Sequence, residues 1–480
     1  MMEQDLKAVD TSVLQQTLET ISVSPGSPLS TFSNWAKTFQ CRPQMVFVPT
    51  TALQCRQILE LAGREGARVH PVGVGHSPSD LGCTNGWLVR MDGLRGTVQI
   101  DHDNLTATFH AGTTLHEVHA TLANTEPPLA LSNIGSISDQ TIGGLISTAS
   151  HGSGVNFPVI SAHVKSLVLA LPLPGSPIVR VSNTEDPELF KASLCGLGAT
   201  GLILEIQMEV EKAFRLIETR EAKSINEVLG NLEAIKSSAQ HVRVWWYPDG
   251  KGAVIGRANR TYEPAQPTSS RIAHFLGFHV TQFFLYVTRL IPSLTPLVGQ
   301  WAWWLAKADI VVVDDSYKIL NVDCLFPQYA LEWAIDVEET ETCLREIRKW
   351  LDREATNANR LYSHFPIEIR WSSADDIWLS PSYGRETCWI GIVTYRPYGL
   401  AVPYREFHRK FANLLVAHGG RPHWAKQHVL GPETLKLMYP KFQDFQKVLR
   451  RVDPRGILRS ENVRRHIDGE KIPERIFKAR

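Results

Sequence analysis

Two stretches rich in glycine and serine constrain the fold of this chain more than any other feature. The first, VGVGHSPSD, covers residues 72–80, and the second, SNIGSISDQTIGGLISTASHGSG, covers residues 132–154. Each follows residues with the pattern of a β-strand, so both are predicted to be loops at strand ends. Glycine lets the backbone approach a ligand closely, and backbone N–H groups with serine hydroxyls can bind a pyrophosphate. The pair therefore predicts one dinucleotide cofactor held by two loops that are distant along the chain.

The first stretch differs from the G-x-G-x-x-G fingerprint, because the third glycine is absent and no amphipathic helix follows directly. His76 follows Gly75. An imidazole nitrogen is nucleophilic enough to bond to the 8α-methyl carbon of a flavin, although a Gly-His pair alone is typical of an ordinary loop. The second stretch favours the flavin interpretation, since two unrelated surface loops would rarely share this composition.

Two further motifs carry polar side chains that could act on a substrate. Glu368 and Arg370 are two residues apart in a predicted strand, so their side chains point to the same side. A carboxylate and a guanidinium placed this way could hold hydroxyl and carbonyl oxygens of a substrate. Residues 419–426, GGRPHWAK, predict a turn that presents Lys426, and a lysine near the pyrimidine end of a flavin would stabilise the anionic reduced ring. Each motif alone is typical of a surface ion pair or a surface loop.

The order of strand and helix patterns predicts the domain organisation. Strands and helices alternate over residues 44–210, which predicts a mixed α+β domain. The composition, with 43% hydrophobic and 21% charged residues, is ordinary for a folded protein. A boundary is expected near residue 212, because charged sequence with a helical pattern begins there. The predicted parts are a polar lead over residues 1–35, a first domain over residues 36–212 and a second domain over residues 213–480.

Charge, cysteines and the N-terminus argue against several classes of protein. The net charge of +1 gives no electrostatic reason to expect nucleic acid as a partner. The seven cysteines are scattered and form no C-x-x-C pair, so neither a disulfide framework nor a metal site is expected. The first residues carry acids and no apolar segment, so a secretory signal is not expected and the protein is predicted not to be secreted.

An apolar insert at about residues 271–306 departs from the rest of the chain. Residues 273–288 carry no charged side chain, and after Arg289 residues 290–306 are again uncharged. Each part is shorter than the ~20 apolar residues of a spanning helix, and prolines interrupt the second. We interpret the insert as two helices that lie in a membrane surface with tryptophans at the level of the headgroups. A buried helical hairpin or a subunit interface is the alternative.

Taken together, four motifs resemble those of the sugar-lactone oxidases of the vanillyl-alcohol-oxidase type flavoprotein superfamily. The motifs are GHSPSDLGCTNGW, GSISDQTIGGLISTASHGSG, GRPHWAK and DPRGILRSENVRRH. The resemblance extends over residues 32–467 and is stronger to the fungal oxidases of D-arabinono-1,4-lactone than to animal L-gulonolactone oxidases or plant galactonolactone dehydrogenases. It implies an α+β fold in which a two-lobed FAD-binding domain of the VAO/PCMH type is followed by an α+β substrate cap domain.

The resemblance also implies roles for individual residues. His76 is expected to carry FAD through a covalent 8α-histidyl bond. The other residues expected to line the FAD are Gly73, Val74, Gly75, Ser77, Pro78, Ser79, Ser138, Gly143, Gly144, Ser147, Ser150, His151 and Gly152, with Gly198, Gly201 and Ile203 on its adenosine side. The expected catalytic residues are Glu368, Arg370 and Lys426, and the expected substrate contacts are Thr141, Thr394 and His423.

The implied reaction is oxidation of an aldono-1,4-lactone, D-arabinono-1,4-lactone in the fungal members, with O2 reduced to H2O2. Gly135 stands where the plant dehydrogenase carries an alanine said to hinder oxygen, so this glycine favours an oxidase. Ile392 stands where alditol oxidases carry a histidine, which argues against an open-chain polyol and leaves the general base open.

Two alternatives remain at this stage. One is an L-gulono- or L-galactono-1,4-lactone oxidase, or a dehydrogenase with a protein electron acceptor. The other is a non-enzymatic binding protein docked on a membrane. The protein is expected to associate with a membrane, the mitochondrial outer membrane.

Overall fold

The framework of the protein is built from β-strands in three main sheets and two strand pairs. The computed structural model describes residues 5–266, 275–321, 326–473 and 476–479. The strands in chain order are β1 (Phe32–Ser33), β2 (Gln40–Cys41), β3 (Met45–Phe47), β4 (Val69–Val72), β5 (Trp87–Arg90), β6 (Thr97–Asp101), β7 (Thr106–His110), β8 (Leu129–Ala130), β9 (Val164–Ala170), β10 (Ile178–Ser182), β11 (Leu202–Glu209), β12 (Glu211–Lys212), β13 (Arg215–Ser224), β14 (His241–Tyr247), β15 (Gly252–Thr261), β16 (Ile310–Asp315), β17 (Gln328–Asp336), β18 (Ile367–Ser372), β19 (Thr387–Tyr395) and β20 (Arg421–Pro422).

Helices cover these sheets. In chain order they are α1 (Thr11–Glu19), α2 (Ala52–Glu65), α3 (Leu115–Ala123), α4 (Ile142–Ile146), α5 (Pro187–Ser193), α6 (Ile225–Gly230), α7 (Leu232–Lys236), α8 (Thr281–Leu290), α9 (Thr295–Ala306), α10 (Ser316–Leu320), α11 (Thr340–Thr356), α12 (Arg405–Ala417), α13 (Pro432–Met438), α14 (Phe442–Val452) and α15 (Glu461–Val463). The sequence explains their ends. Helix α2, for example, begins with a capping box between Thr51 and Gln54 and ends at Gly66 in the left-handed conformation.

The N-terminal half of the chain forms two lobes. The first lobe contains the parallel sheet β3-β5-β4, and the second contains the antiparallel sheet β10-β9-β11-β7-β6. Strand β4 leads directly into the first glycine-rich stretch, and α4 lies within the second. The predicted α+β class with two lobes is therefore confirmed, and both stretches follow strands as expected.

The C-terminal half is dominated by an antiparallel sheet in the order β16-β13-β15-β14-β18-β19-β17-β20. One face of this sheet is apolar: Val244, Ile369, Ile390 and Trp333 lie in one row across four strands and are buried against helices that include α11 and α12. Because successive side chains alternate in a strand, the neighbouring residues form a polar row on the other face. That other face is turned toward the two lobes, since Arg370 reaches Ser136.

Three sequence expectations differ from the structure. Residues 1–35 were predicted to be a polar lead, but in their described part Leu14 and Leu18 of α1 are buried with residues of α2 in one core. The charged sequence after residue 212 forms strand β13 rather than a helix, because its alternating side chains pair with β15 and β16. The last segment of the chain packs with the second lobe, where Phe445 and Leu449 of α14 join its apolar core.

The apolar insert forms two helices, α8 and α9, joined by a turn at Pro292. Residues 271–274 of the predicted insert lie outside the described residues. No helix in the described ranges has both the length and the apolar character needed to cross a membrane. The hairpin buries Leu285 and Val298, whereas four apolar side chains of its two helices are at least half exposed: Phe283, Leu290, Leu297 and Trp304.

Candidate active site

The two glycine-rich stretches contact each other. A Cβ atom added to Gly73 would lie 2.1 Å from the hydroxyl oxygen of Thr141, so only glycine fits where the loops cross. Gly75 has a φ of 80°, a left-handed conformation that glycine adopts without strain. The predicted convergence of loops that are distant in sequence is thus present in the structure.

The two loops and the turn before β11 line a cavity that opens to solvent, with about 930 Å³ of empty space when the open solvent at its mouth is included. The predicted cofactor residues in its lining are Gly73, Val74, Gly75, His76, Ser77, Gly143, Gly144, Ser147, Ser150, Gly198, Gly201 and Ile203. Thr141, predicted to contact substrate, also lines this cavity and caps α4. The lining is rich in glycine backbone and side-chain hydroxyls, which fits a dinucleotide such as FAD.

Five residues predicted to line the FAD are not among the described residues that line this cavity: Pro78, Ser79, Ser138, His151 and Gly152. Three of them make contacts elsewhere. Ser79 donates to the carbonyl oxygen of Ala425 at 2.9 Å, Ser138 accepts from Asn321 at 2.7 Å, and Gly152 packs against Asn133. Ser79 therefore connects the first loop to the turn that carries Lys426, and His151 belongs to the cluster described below.

His76 lies at the edge of the cavity with its ring half-buried. Its imidazole stacks on Trp35, with ring centroids 5.7 Å apart and planes inclined by 22°. No group in the described part of the chain hydrogen-bonds to its buried Nδ1. Burial lowers the pKa of His76, and the charge of Lys426 lowers it further, while Asp139 opposes the shift. The imidazole is therefore neutral at physiological pH, which is the form that can act as a nucleophile.

Glu332 on β17 is the centre of an ionic cluster beside the cavity. Its Oε1 accepts from Arg370 Nη2 at 2.6 Å and lies 3.2 Å from His151 Nε2, and its Oε2 lies 3.7 Å from Lys426 Nζ. Burial alone would raise the pKa of Glu332, but Arg370, His151 and Lys426 together hold it well below its usual range. The cluster is therefore built around a permanently ionised carboxylate.

The predicted catalytic residues surround this carboxylate. Glu332, Gly391 and Glu368 lie in one row across β17, β19 and β18. Gly391 has no side chain, so the guanidinium of Arg370 can cross β19 to Glu332 while its Nε lies 3.4 Å from Glu368. Glu368 and Lys426 are the more accessible members, with side chains 26% and 22% exposed against 6% for Glu332. They are the groups that a substrate between this face of the sheet and the two lobes can reach.

Two buried, neutral imidazoles lie beside Glu332. His151 stacks on Trp389 with a centroid distance of 3.7 Å, and burial followed by the Arg370 charge lowers its pKa. Burial also holds the pKa of His423 well below its usual value. The ligand atoms of His151, Glu332 and His423 lie within 4.8 Å of one another, which is close enough for a metal ion. Arg370 and Lys426 already neutralise Glu332, however, so a divalent cation would meet two positive charges there.

The predicted role of Thr394 is wrong. Thr394 is three residues beyond Gly391 on β19, so its side chain points to the opposite face of the sheet, where its hydroxyl is 3.1 Å from His408 Nε2. The sequence alone shows that Thr394 and Ile392 share a face, but not which face meets the cavity. Gly135 is buried, and an added Cβ would lie 3.6 Å from the carbonyl oxygen of His151, which leaves room for an alanine.

Sequence reasoning missed Glu332, Ser136 and Trp35. Glu332 carries a detectable signal: it is the only charged residue within YALEWAI, and its neighbours on the same face, Ala330 and Ala334, are small. A lone carboxylate among small side chains on an apolar strand indicates a buried and paired charge. Trp35 and Ser136 have no comparable signal, because their importance comes only from contacts with distant parts of the chain.

Comparisons with known proteins agree with this geometry. The sequence profile of a family described as D-arabinono-1,4-lactone oxidase matches residues 206–466, and a profile described as an FAD binding domain matches residues 43–176. L-gulonolactone oxidase from Scyliorhinus torazame is 36% identical, covering 89% of this chain and 96% of the relative. D-arabinono-1,4-lactone oxidase from Eremothecium gossypii is 30% identical, covering 89% and 93%. The expected order of similarity, with the fungal enzymes ahead of the animal ones, is therefore wrong for these two relatives.

The fold is shared with more distant proteins. A cholesterol oxidase from Brevibacterium sterolicum superimposes with a TM-score of 0.77 over 92% of this chain and 98% of the other, at 15% sequence identity. At this identity the likeness concerns the fold alone.

Proposed function

Because the chain belongs to the D-arabinono-1,4-lactone oxidase family, as its motifs predicted, we propose that it oxidises D-arabinono-1,4-lactone to the dehydro-lactone and passes the electrons to O2, giving H2O2. It is an FAD-dependent sugar-lactone oxidase. The observation that carries the proposal is the position of the Glu332 cluster: the turn that presents Lys426 also places Ala425 in the lining of the cofactor cavity.

Different residues would bind the cofactor, hold the lactone and accept the proton in this reaction. The loops containing Gly73 and Gly143 would hold the FAD, which accepts a hydride from the substrate carbinol when bound. Lys426 supplies a donor for the lactone oxygens, Arg370 orients Glu368, and Glu332 keeps both cations in place. Glu368 is the more accessible carboxylate of the row, so we propose that it accepts the proton of the substrate hydroxyl. The neutral, buried histidines beside Glu332 exclude water from the ion pairs.

Oxygen uptake and H2O2 formation with five- and six-carbon aldonolactones test the proposed reaction. We expect D-arabinono-1,4-lactone to be oxidised with one H2O2 formed for each O2 consumed. Fast reduction of a dye with slow oxygen uptake would instead identify a dehydrogenase. The 36% identity to an L-gulonolactone oxidase supports a second candidate substrate, L-gulono-1,4-lactone, and the ratio of kcat/KM for the two lactones decides between them.

We also propose that the FAD is bonded covalently to His76. Its neutral imidazole, located in the cavity lining with a free Nδ1, supports this assignment. Flavin should stay with the chain after acid precipitation, and His76→Ala should release it. Unchanged attachment in that variant would remove His76 from the proposal.

Membrane association through the α8–α9 hairpin is a further part of the proposal. Its support is a set of apolar side chains that are at least half exposed: Phe283, Leu290, Ile291, Leu297 and Trp304. Such side chains on short helices suit the interfacial region of a bilayer.

Flotation with phosphatidylcholine–cardiolipin vesicles tests this association. We expect Leu290→Ser with Leu297→Ser to abolish flotation. Leu437, on α13, is a still more exposed leucine, and we expect Leu437→Ser to leave flotation intact. The mitochondrial outer membrane is the host that we propose, and subcellular fractionation tests it.

A further inference from the structure

Residues 32–38, which we call the clasp, contact the first cofactor loop on both sides of His76. The backbone N–H of Trp35 donates to the carbonyl oxygen of Gly75 at 2.8 Å. The side-chain amide of Asn34 donates to the carbonyl oxygen of Ser77 at 3.0 Å. The residues before and after His76 are thus each anchored by one clasp residue.

The clasp also supplies the contact that orients the His76 ring. Trp35 stacks on the imidazole in an offset arrangement, and no described group hydrogen-bonds to the buried Nδ1. A side chain without hydrogen bonds can rotate unless a packed neighbour restrains it. Trp35 is that neighbour. Neither Trp35 nor Asn34 is among the described residues that line the cofactor cavity, so their contacts concern His76 and its loop.

Other parts of the fold hold the clasp itself in place. The side-chain oxygen of Asn34 accepts from the backbone N–H groups of Thr38 at 2.8 Å and Phe39 at 3.1 Å. Arg396, at the end of β19, donates to the carbonyl oxygens of Ala36 and Lys37. The orientation of His76 is therefore linked to the large sheet that carries Glu368 and Arg370.

Resting on the covalent attachment proposed above, we propose that Trp35 and Asn34 are positioning residues that present the His76 imidazole to the flavin 8α carbon. Formation of the bond joins an imidazole nitrogen to that carbon, with loss of one proton from each. The two electrons released enter the flavin ring and pass from it to O2, the oxidant of the proposed reaction. Binding of FAD and its covalent attachment are then separable steps, and Trp35 and Asn34 serve the second.

Two variants test this inference. Trp35→Leu removes the ring contact and keeps the backbone hydrogen bond to Gly75. Asn34→Asp keeps the oxygen that accepts from Thr38 and Phe39 and removes the amide that donates to Ser77 and to the Thr38 hydroxyl. It tests the second anchor of the loop without changing the size of the side chain, even if the first variant is unstable. Trp303→Leu, a half-buried tryptophan of α9, is the matched control.

The measurement starts from protein made under riboflavin depletion, to which FAD is added. FAD binding is followed by quenching of its fluorescence, and covalent attachment by flavin that remains with acid-precipitated chain. We expect normal binding and attachment slowed by about tenfold or more in both clasp variants, and normal rates in the control. Attachment at the wild-type rate in Trp35→Leu, or in Asn34→Asp if the first does not fold, would overturn the inference. Flavin that is wholly released from the wild-type protein would instead refute the covalent bond itself.

Discussion

Replacement of Glu332 by glutamine removes one negative charge and preserves the shape of the side chain. The side chains of Arg370 and Glu332 are 8% and 6% exposed and lie 2.6 Å apart, so solvent screens their interaction little. Removing one partner of such a buried pair costs about 3–5 kcal/mol. Glu368, 3.4 Å from Arg370 Nε, compensates part of the loss. We therefore expect the free energy of unfolding to fall by about 3 kcal/mol, measured by denaturant titration.

The same substitution should reduce catalysis more than FAD binding. Arg370 and Lys426 lose their common anchor, and a displacement of about 1 Å of a substrate-positioning group costs roughly a hundredfold in rate. Glu332 is not among the described residues that line the cofactor cavity, so bound FAD should be unchanged. We expect kcat/KM for the lactone to fall by about a hundredfold, in steady-state oxygen uptake, at full flavin content.

Glu218→Gln provides the matched control. Glu218 is a buried glutamate of β13 in the same sheet, paired with Arg220 at 2.7 Å. We expect it to lower stability and leave kcat/KM within a factor of about two, because its partner lies outside the Glu332 cluster. If Glu332→Gln lost no more activity than this control, the organising role of Glu332 would be wrong.

Three further expectations concern pH, substrate contact and oxygen. Burial lowers the pKa of His241 and His364 to about 4, so the unfolded chain binds protons below about pH 6.5 that the folded chain does not. The free energy of unfolding should therefore be highest above that pH, and each of the two histidines should lower it by about 1.4 kcal/mol at pH 5.5. In His364→Gln this fall should be smaller. Thr394→Val should leave KM for the lactone unchanged. It should lower the free energy of unfolding by about 1 kcal/mol, because His408 loses a buried hydrogen-bond partner. A raised KM would show that Thr394 contacts the substrate. Gly135→Ala should fold normally, since the nearest non-neighbouring atom would be 3.6 Å from the new Cβ. In stopped-flow measurements it should slow reoxidation of the flavin by O2 without slowing anaerobic reduction by the lactone. Equal slowing of both steps would contradict a role of Gly135 in oxygen access.

Much of the cofactor half could be predicted from the sequence, because its signals are local. Glycine and serine at loop positions, strand patterns before each loop and a histidine beside Gly75 all depend on neighbours along the chain. The contact between the loops at Gly73 and Thr141 could be predicted from the assumption that both loops bind one ligand. The predicted two-lobed α+β fold followed from the same local patterns together with the family resemblance.

The substrate half was harder to predict, because its chemistry depends on sheet register. Glu332, Gly391 and Glu368 form one row only after β17, β19 and β18 have paired, and a shift by one residue would place each on the other face. This is why Glu332 was missed and Thr394 was wrongly assigned. The clasp was missed because its contacts are also distant in sequence. The polar composition of residues 1–35 gives no sign of contacts with a loop some forty residues away.

The central claim is that a flavin held between two glycine-rich loops receives electrons from a lactone positioned by the Glu332 cluster. Anaerobic mixing of the purified protein with D-arabinono-1,4-lactone or L-gulono-1,4-lactone tests this claim most directly, because only electron transfer from bound lactone can bleach the oxidised-flavin absorbance. We predict rapid and complete bleaching in the wild-type protein and roughly hundredfold slower bleaching in Glu332→Gln. A flavin that stays oxidised with both lactones would contradict the account.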